Sequence, residues 1–180
     1  MAMAKFLTLI GMIVMLGGCG STPVETYASE KPVMEFDSFF NGALTGHAIV
    51  QDRNGKIIKR FVVHMVGEWN GDHGTLKEHF VYNDGEIQDR VWTIRKLADG
   101  SFVGTAPDIV GEAPGKSAGN AIQWKYVMKL DVSGHKINIA FDDWMFLVSD
   151  DLVINRSYMS KFGINVGQIT ISISKDKPLK

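Results

Sequence analysis

The chain has 180 residues, 45% of them hydrophobic, with 19 Lys and Arg against 20 Asp and Glu, a net charge of -1 and one cysteine. A balanced charge without a basic block leaves no footprint for nucleic acid, so no nucleic-acid partner is expected. A single cysteine excludes an intramolecular disulfide.

Lys5 and the apolar run over residues 6–16 have the layout of a signal peptide. The run is short of the roughly 20 residues that a membrane-crossing helix needs. It ends in Leu16-Gly17-Gly18-Cys19, which resembles the lipobox of bacterial lipoproteins. That resemblance implies a cleaved signal peptide over residues 1–18 and a mature N-terminus at Cys19, carrying a diacylglyceryl thioether and an N-acyl chain such as palmitate. Several acyl chains make a stable membrane anchor. Gly20 rather than Asp follows the cysteine, and by similarity to lipoprotein sorting this points to the outer membrane, facing the periplasm. The alternative is a secretory peptide that leaves Cys19 a free thiol.

Residues 20–31 are polar, contain Pro23 and show no apolar period, which reads as a flexible tether. The expected organisation is therefore a lipidated cysteine and tether over residues 19–35, then one domain over residues 36–180.

The period in that domain is two. Ile122, Trp124, Tyr126, Met128, Leu130 and Val132 alternate mostly with Gln123, Lys125, Lys129 and Asp131, as a half-buried strand does. Turn signals such as Arg53-Asn54-Gly55, Asn70-Gly71-Asp72, Asn83-Asp84-Gly85 and Ala98-Asp99-Gly100 separate apolar-rich runs. Strands are predicted over residues 43–51, 56–69, 75–82, 86–97, 101–105, 120–132, 135–148, 152–160 and 166–174. The fold class is all-β: an antiparallel up-and-down meander closing into a lipocalin-like barrel, which buries one face and removes both edges. A two-sheet sandwich is the competitor. Residues 105–119 (TAPDIVGEAPGKSAG) read as a long loop, either a lid or a solvated excursion.

In the turn at Asn83-Asp84-Gly85 a three-residue loop pairs Tyr82 with Glu86, Phe80 with Gln88, Glu78 with Arg90 and Leu76 with Trp92. That register places a Glu78–Arg90 ion pair on an apolar face. Further on, Ile137, Ile139 and Phe141 keep odd phase whereas Trp144, Phe146 and Val148 keep even phase, so a β-bulge is predicted at Asp142-Asp143. Arg156 shares the phase of Leu152, Ile154 and Tyr158. It is expected to point inward, braced by Asp142 or Asp143. Glu78, Asp142 and Asp143 are read as a structural polar cluster.

Phe39-Phe40-Asn41-Gly42, Gly67-x-Trp69, Leu76-x-Glu78-x-Phe80-x-Tyr82, Arg90-x-Trp92, Gly119-Asn120-Ala121, Asp142-Asp143-Trp144-Met145, Asn155-Arg156 and Lys161-Phe162-Gly163 together resemble the bacterial lipoproteins catalogued as domain of unknown function 3833. The resemblance implies a lipoprotein with a lipocalin-like barrel and hands over no catalytic residue.

The expected function is binding of a small apolar or amphipathic molecule, such as a fatty acid or lipid. Trp92, Trp124, Tyr126, Met128 and Tyr158 would line the pocket, with Arg90 or Arg156 meeting a carboxylate or phosphate head. The alternative is a non-enzymatic accessory lipoprotein docked to an envelope protein partner. An enzyme is not expected, because GxSxG, phosphate-loop and HExxH signatures are absent. His47, His64, His73, His79 and His135 lack ligand spacing, so neither a metal nor a cofactor is expected.

Overall fold

The computed structural model describes residues 22–132 and 134–176; the signal peptide expected over residues 1–18 and Cys19 lie outside them. The strands are β1 (Gly42–Asp52), β2 (Ile57–Asn70), β3 (His73–Tyr82), β4 (Ile87–Lys96), β5 (Phe102–Thr105), β6 (Ala113–Ala118), β7 (Ala121–Val132), β8 (His135–Ser149), β9 (Leu152–Lys161) and β10 (Ile164–Lys175). Each is antiparallel to its chain neighbours, and β1 closes on β10 from Leu44 opposite Lys175 to Asp52 opposite Gly167. The predicted barrel is thus the observed one, and no edge is left unpaired.

The turn at Gly85 behaves as its residues require. Gly85 has φ +87, and the Tyr82 N–H donates to Glu86 O at 2.9 Å. The register is the predicted one, with Leu76 opposite Trp92, Glu78 opposite Arg90 and Phe80 opposite Gln88.

Three expectations are corrected. First, residues 105–119 are not one long loop, because β6 runs through them and pairs with β5 and β7. Its sequence, APGKSA, has almost no strand former. Its small residues serve another need: a Cβ on Gly115 would lie 2.6 Å from the Trp124 ring, and one on Gly104 3.2 Å from Trp92. The backbone of β5 and β6 passes over two indoles, tightly at Gly104 and, at Gly115, with no room for any side chain unless the ring shifts.

Second, β8 has no bulge at Asp142-Asp143. Ile139, Phe141, Asp143 and Leu147 are all buried on the odd phase, and the register shift comes later, between Leu147 and Ser149. Trp144 and Phe146 are apolar because their outer face is covered as well.

The cover is the third correction. Residues read as a flexible tether fold onto the barrel wall, where Val24–Tyr27 forms a 3-10 turn. Val24 is buried with Ala121 and Trp144. Tyr27 meets Trp144 and Phe146 edge to face at 5.9 and 5.3 Å. The Met34 N–H donates to Gly119 O at 2.8 Å.

From there the chain enters one end of the barrel as the short helix α1 (Phe36–Phe39). Phe36 packs on Trp69, Phe102 and Trp124 at centroid distances of 5.9, 5.2 and 5.4 Å. Trp69 Nε1 donates to Phe40 O at 3.2 Å, and Lys96 Nζ meets Asp37 at 2.9 Å. Phe36, Phe39 and Phe40 are each at most 4% exposed. They plug the end formed by the β2–β3, β4–β5, β6–β7 and β8–β9 turns.

Candidate functional site

The other end, formed by the β1–β2, β3–β4, β7–β8 and β9–β10 hairpins, opens into a cavity of about 640 Å³, the size of a small-molecule site. Its floor is Phe36 and Phe40. Its walls are the inward residues of the strands, among them Val63, Met65, Leu76, Ile94, Phe141 and Ile171, and Ile58, Lys59, Glu86 and Val132 stand at the mouth.

Two polar groups interrupt this apolar wall. In the first, Arg90 lies between Glu78 and Asp108. Its Nε donates to Asp108 Oδ2 at 2.9 Å and its Nη2 lies 2.8 Å from the same atom, while Nη1 reaches Glu78 Oε2 at 3.4 Å. Trp92 Nε1 also donates to Glu78 Oε2, at 3.2 Å, and the guanidinium sits 5.1 Å over the Phe80 ring. Burial pushes the Glu78 carboxyl up to about 7, against the opposing pull of Arg90 and the Trp92 hydrogen bond. Burial works against the Arg90 cation, yet Glu78 and Asp108 hold it above its ordinary value.

In the second group, Asp143 accepts from Ser157 Oγ at 2.5 Å, from Tyr126 OH at 3.2 Å and from Asn155 Nδ2. Burial raises the Asp143 carboxyl even so, with the three donors working the other way. Tyr126, stacked on Phe141 at 5.2 Å, is held well above its ordinary value by burial and by the neighbouring Asp143. It stays a hydrogen-bond donor.

Two buried polar atoms of the cavity lining lack a partner: Asp108 Oδ1 and Trp124 Nε1. Buried polar atoms are normally satisfied; Asp108 Oδ1 can still accept a hydrogen bond and Trp124 Nε1 can still donate one.

Of the predicted site residues, Arg90, Trp92, Trp124 and Tyr126 line the cavity. Arg156 and Tyr158 do not. They are exposed on the outer face of β9, whose inward residues are Val153, Asn155, Ser157 and Met159. Arg156 stands opposite Trp144 and Thr170 and is not braced by either aspartate. Asp142 likewise faces outward, accepting from Gln123 Nε2 at 2.6 Å, so the inner polar groups keep Glu78 and Asp143 without it. Nor is Arg90 free to meet an anionic head, because Asp108 and Glu78 occupy it.

Sequence reasoning missed Asp108, Asn155 and Ser157. Asn155 and Ser157 share the phase of Val153 and Met159, a signal hidden by Leu152 and Ile154 on the opposite phase. Asp108 lies between β5 and β6, outside any strand pattern: its backbone is set by Lys129 N–H donating to Asp108 O at 2.8 Å and by the bridge of Ile109 to Met128, and its carboxylate by Arg90. Among the described residues no three His, Cys, Asp or Glu side chains cluster as a metal site. No helix among them is long and apolar enough to cross a membrane.

A family model described as "Protein of unknown function (DUF3833)" matches residues 13–175. No curated protein matches the chain. Among solved structures, an S-type phycobiliprotein lyase, CPES, from Guillardia theta is similar to 88% of this chain and all of its own, with a TM-score of 0.59 and 11% identity. A protein of unknown function from the DUF3598 family of Nostoc punctiforme matches 82% of this chain and 51% of its own, with a TM-score of 0.48 and 12% identity. The likeness to CPES is one of fold. It nevertheless overturns the expectation that the chain is not an enzyme: a lyase is built on this barrel, and missing sequence signatures exclude only the chemistries those signatures serve.

Proposed function

The chain belongs to the DUF3833 family, and from that premise we propose that its barrel binds a small, largely apolar molecule carrying hydrogen-bond donors. The observation that supports this is the cavity itself, which is largely apolar below a mouth carrying Lys59, Glu86, Lys129 and Asp131, apart from an acid-rich patch at mid-depth. There Arg90 is matched by Glu78 and Asp108, with Asp143 close by on Tyr126. An anionic head placed at that depth would meet carboxyls and no free cation, whereas an N–H or O–H group would satisfy Asp108 Oδ1. A fatty acid or lipid fragment enters on these terms with its chain inward and its head at the mouth, near Lys129.

A second reading adds chemistry on the bound molecule. Glu78, poised at about 7 inside the cavity, is suited to give and take a proton at neutral pH. The phycobiliprotein lyase named above makes a reaction on such a barrel a fair expectation for this chain.

The proposal extends to location: Cys19 is lipidated and holds the barrel at the periplasmic face of the outer membrane. Loss of membrane fractionation in Cys19→Ser is the expected result, and a variant that stays with the membrane would refute the anchor.

Binding is tested by native mass spectrometry of the chain from Gly20 onward, purified without detergent, followed by extraction of anything retained. A reproducible small molecule that is lost in Asp108→Ala supports the reading. A clean apo mass, with no uptake of fatty acids or of N–H-bearing heteroaromatics, overturns it.

A further inference from the structure

Exposed apolar side chains are not spread evenly over the barrel. Ile57, Ile58, Ile87, Val132, Phe162 and Ile164 are 48 to 93% exposed and stand at the mouth, whereas at the plugged end Val148 alone among the described residues falls in that range, and the exposed valines of the outer walls, such as Val66 and Val91, are 45% exposed or less. The six at the mouth form a continuous arc, because β1 pairs with β10, β2 with β3 and β8 with β9. The hairpin at Ile87 therefore adjoins that of Ile57 and Ile58, which adjoins that of Phe162 and Ile164, which adjoins that of Val132. Ile58 and Val132 also line the cavity, so the apolar rim is continuous with the apolar interior.

Phe162 is the most telling of the six. It is 93% exposed with φ +52, followed by Gly163 with φ +77. That is the two-residue turn whose first position suits Asn or Gly. A bulky aromatic in the left-handed region is a poor choice for the fold, and in return its ring gains an approach of Lys161 Nζ at 5.6 Å while staying in solvent. Its use lies outside the chain.

Charge at the rim indicates the partner. Arg53, Lys56, Lys129, Lys136 and Lys161 stand in these hairpins or beside them, and none is in a salt bridge among the described residues. The acids of the same end are engaged locally. Asp52 caps its own turn, Asp131 accepts from the Gly134 N–H, and Asp84 and Glu86 are paired with Lys59. At the plugged end acids predominate, with Glu30, Glu35, Asp72, Asp99 and Asp150 around it beside Lys31, Lys96 and Lys175, of which Lys96 is paired with Asp37 and Lys175 donates to Ser38 O.

We propose that the open end docks on an anionic phospholipid surface, with Phe162 and its apolar neighbours entering the headgroup region and the lysines meeting lipid phosphate. Apolar tips flanked by lysine are the general requirement for such binding.

The test uses the chain from Gly20, which lacks Cys19 and contains every strand, so that the anchor plays no part. It is sedimented with phosphatidylcholine vesicles, with and without phosphatidylglycerol. Binding is expected to rise with phosphatidylglycerol and to fall about tenfold in Phe162→Asn. Lys56→Glu with Lys161→Glu should remove the phosphatidylglycerol dependence, and Val148→Asn at the plugged end should change nothing. Thermal melts confirm that each variant is folded. A parent chain that binds neither vesicle overturns the proposal, as does a Phe162→Asn chain that binds like the parent. Rim-dependent self-association without lipid binding also overturns it, assigning the rim to a second copy. None of these readouts depends on whether the cavity holds a ligand.

Discussion

The two ends of this barrel are built from the same antiparallel hairpins and treat their aromatic residues in opposite ways. At the plugged end Phe36, Phe39 and Phe40 turn inward on Trp69, Phe102 and Trp124 and are almost wholly buried. At the mouth Phe162 stands out in solvent and Ile58 and Val132 line an opening. Sealing one end leaves the mouth as the way into the cavity and backs its mid-depth carboxyls with an apolar floor. The plug is thus part of the site, although no residue of α1 carries a polar group into it.

The hardest way to break the comparison is to open the sealed end. Phe36→Ala removes the ring that bridges α1 to the barrel and should cost about 3–5 kcal/mol, read as a fall in the urea midpoint. Water admitted through the floor should also bring Glu78 down toward the ordinary carboxyl range, since burial is what lifts it. A variant as stable as the parent would mean that α1 merely rests on the barrel.

Next in size is the titration of that carboxyl. Folding raises Glu78 from an ordinary 4.5 to about 7, so the folded chain binds the proton more tightly than the unfolded one. Its contribution is fully present below about pH 4.5 and is lost as pH rises through 7. The loss is on the order of 3 kcal/mol, and Glu78→Gln should remove it. The check is the difference between parent and variant stability across pH 4 to 8 in urea melts (a range of roughly that width). Asp143 slopes in the same sense, so the difference, not the parent curve, carries the test. A difference that is flat with pH would place Glu78 in water.

How far the sequence disclosed all this varies by element. The meander and the register of β3 and β4 were legible because Gly85 dictates a turn and alternation dictates faces. Those two features put Glu78, Arg90 and Trp92 on one wall, and alternation in β7 added Trp124 and Tyr126. The phase of β8 was misread because Trp144 and Phe146 look like core residues and are core residues, but of a second layer made with Val24 and Tyr27. No local pattern in residues 20–31 announces that contact. On β9 the inward Asn155 and Ser157 are polar because Asp143 needs donors, so Arg156 and Tyr158 were assigned to the wrong face. Strand β6 escaped because its glycines answer to Trp124 across space and not to their own neighbours in sequence.

That last contact provides a subtler break at the plugged end. Gly115→Ala places a methyl carbon where the Trp124 ring already lies, at 2.6 Å, and overpacking of this kind costs about 1–3 kcal/mol. Trp124 forms part of the floor region through Phe36, so its fluorescence should shift along with stability. An unchanged emission spectrum and midpoint would show that β6 yields and the indole does not.

The smallest expected effect has the opposite sign, and that sign is its value. Phe162 holds φ +52 with its ring in water, and a left-handed conformation costs an ordinary residue about 1–2 kcal/mol. Asn tolerates that region better and has no apolar ring to expose, so Phe162→Asn should raise stability by about 0.5–1 kcal/mol, measured as a higher melting temperature. At the plugged end every aromatic replaced should lower stability, because each is there for the fold. A Phe162→Asn chain that melts below the parent would mean that the ring packs on its own hairpin, beyond its 5.6 Å approach to Lys161, and the two ends would then differ in degree only. A chain that melts higher while losing its hold on anionic vesicles would show stability given up at the mouth for a contact outside the molecule.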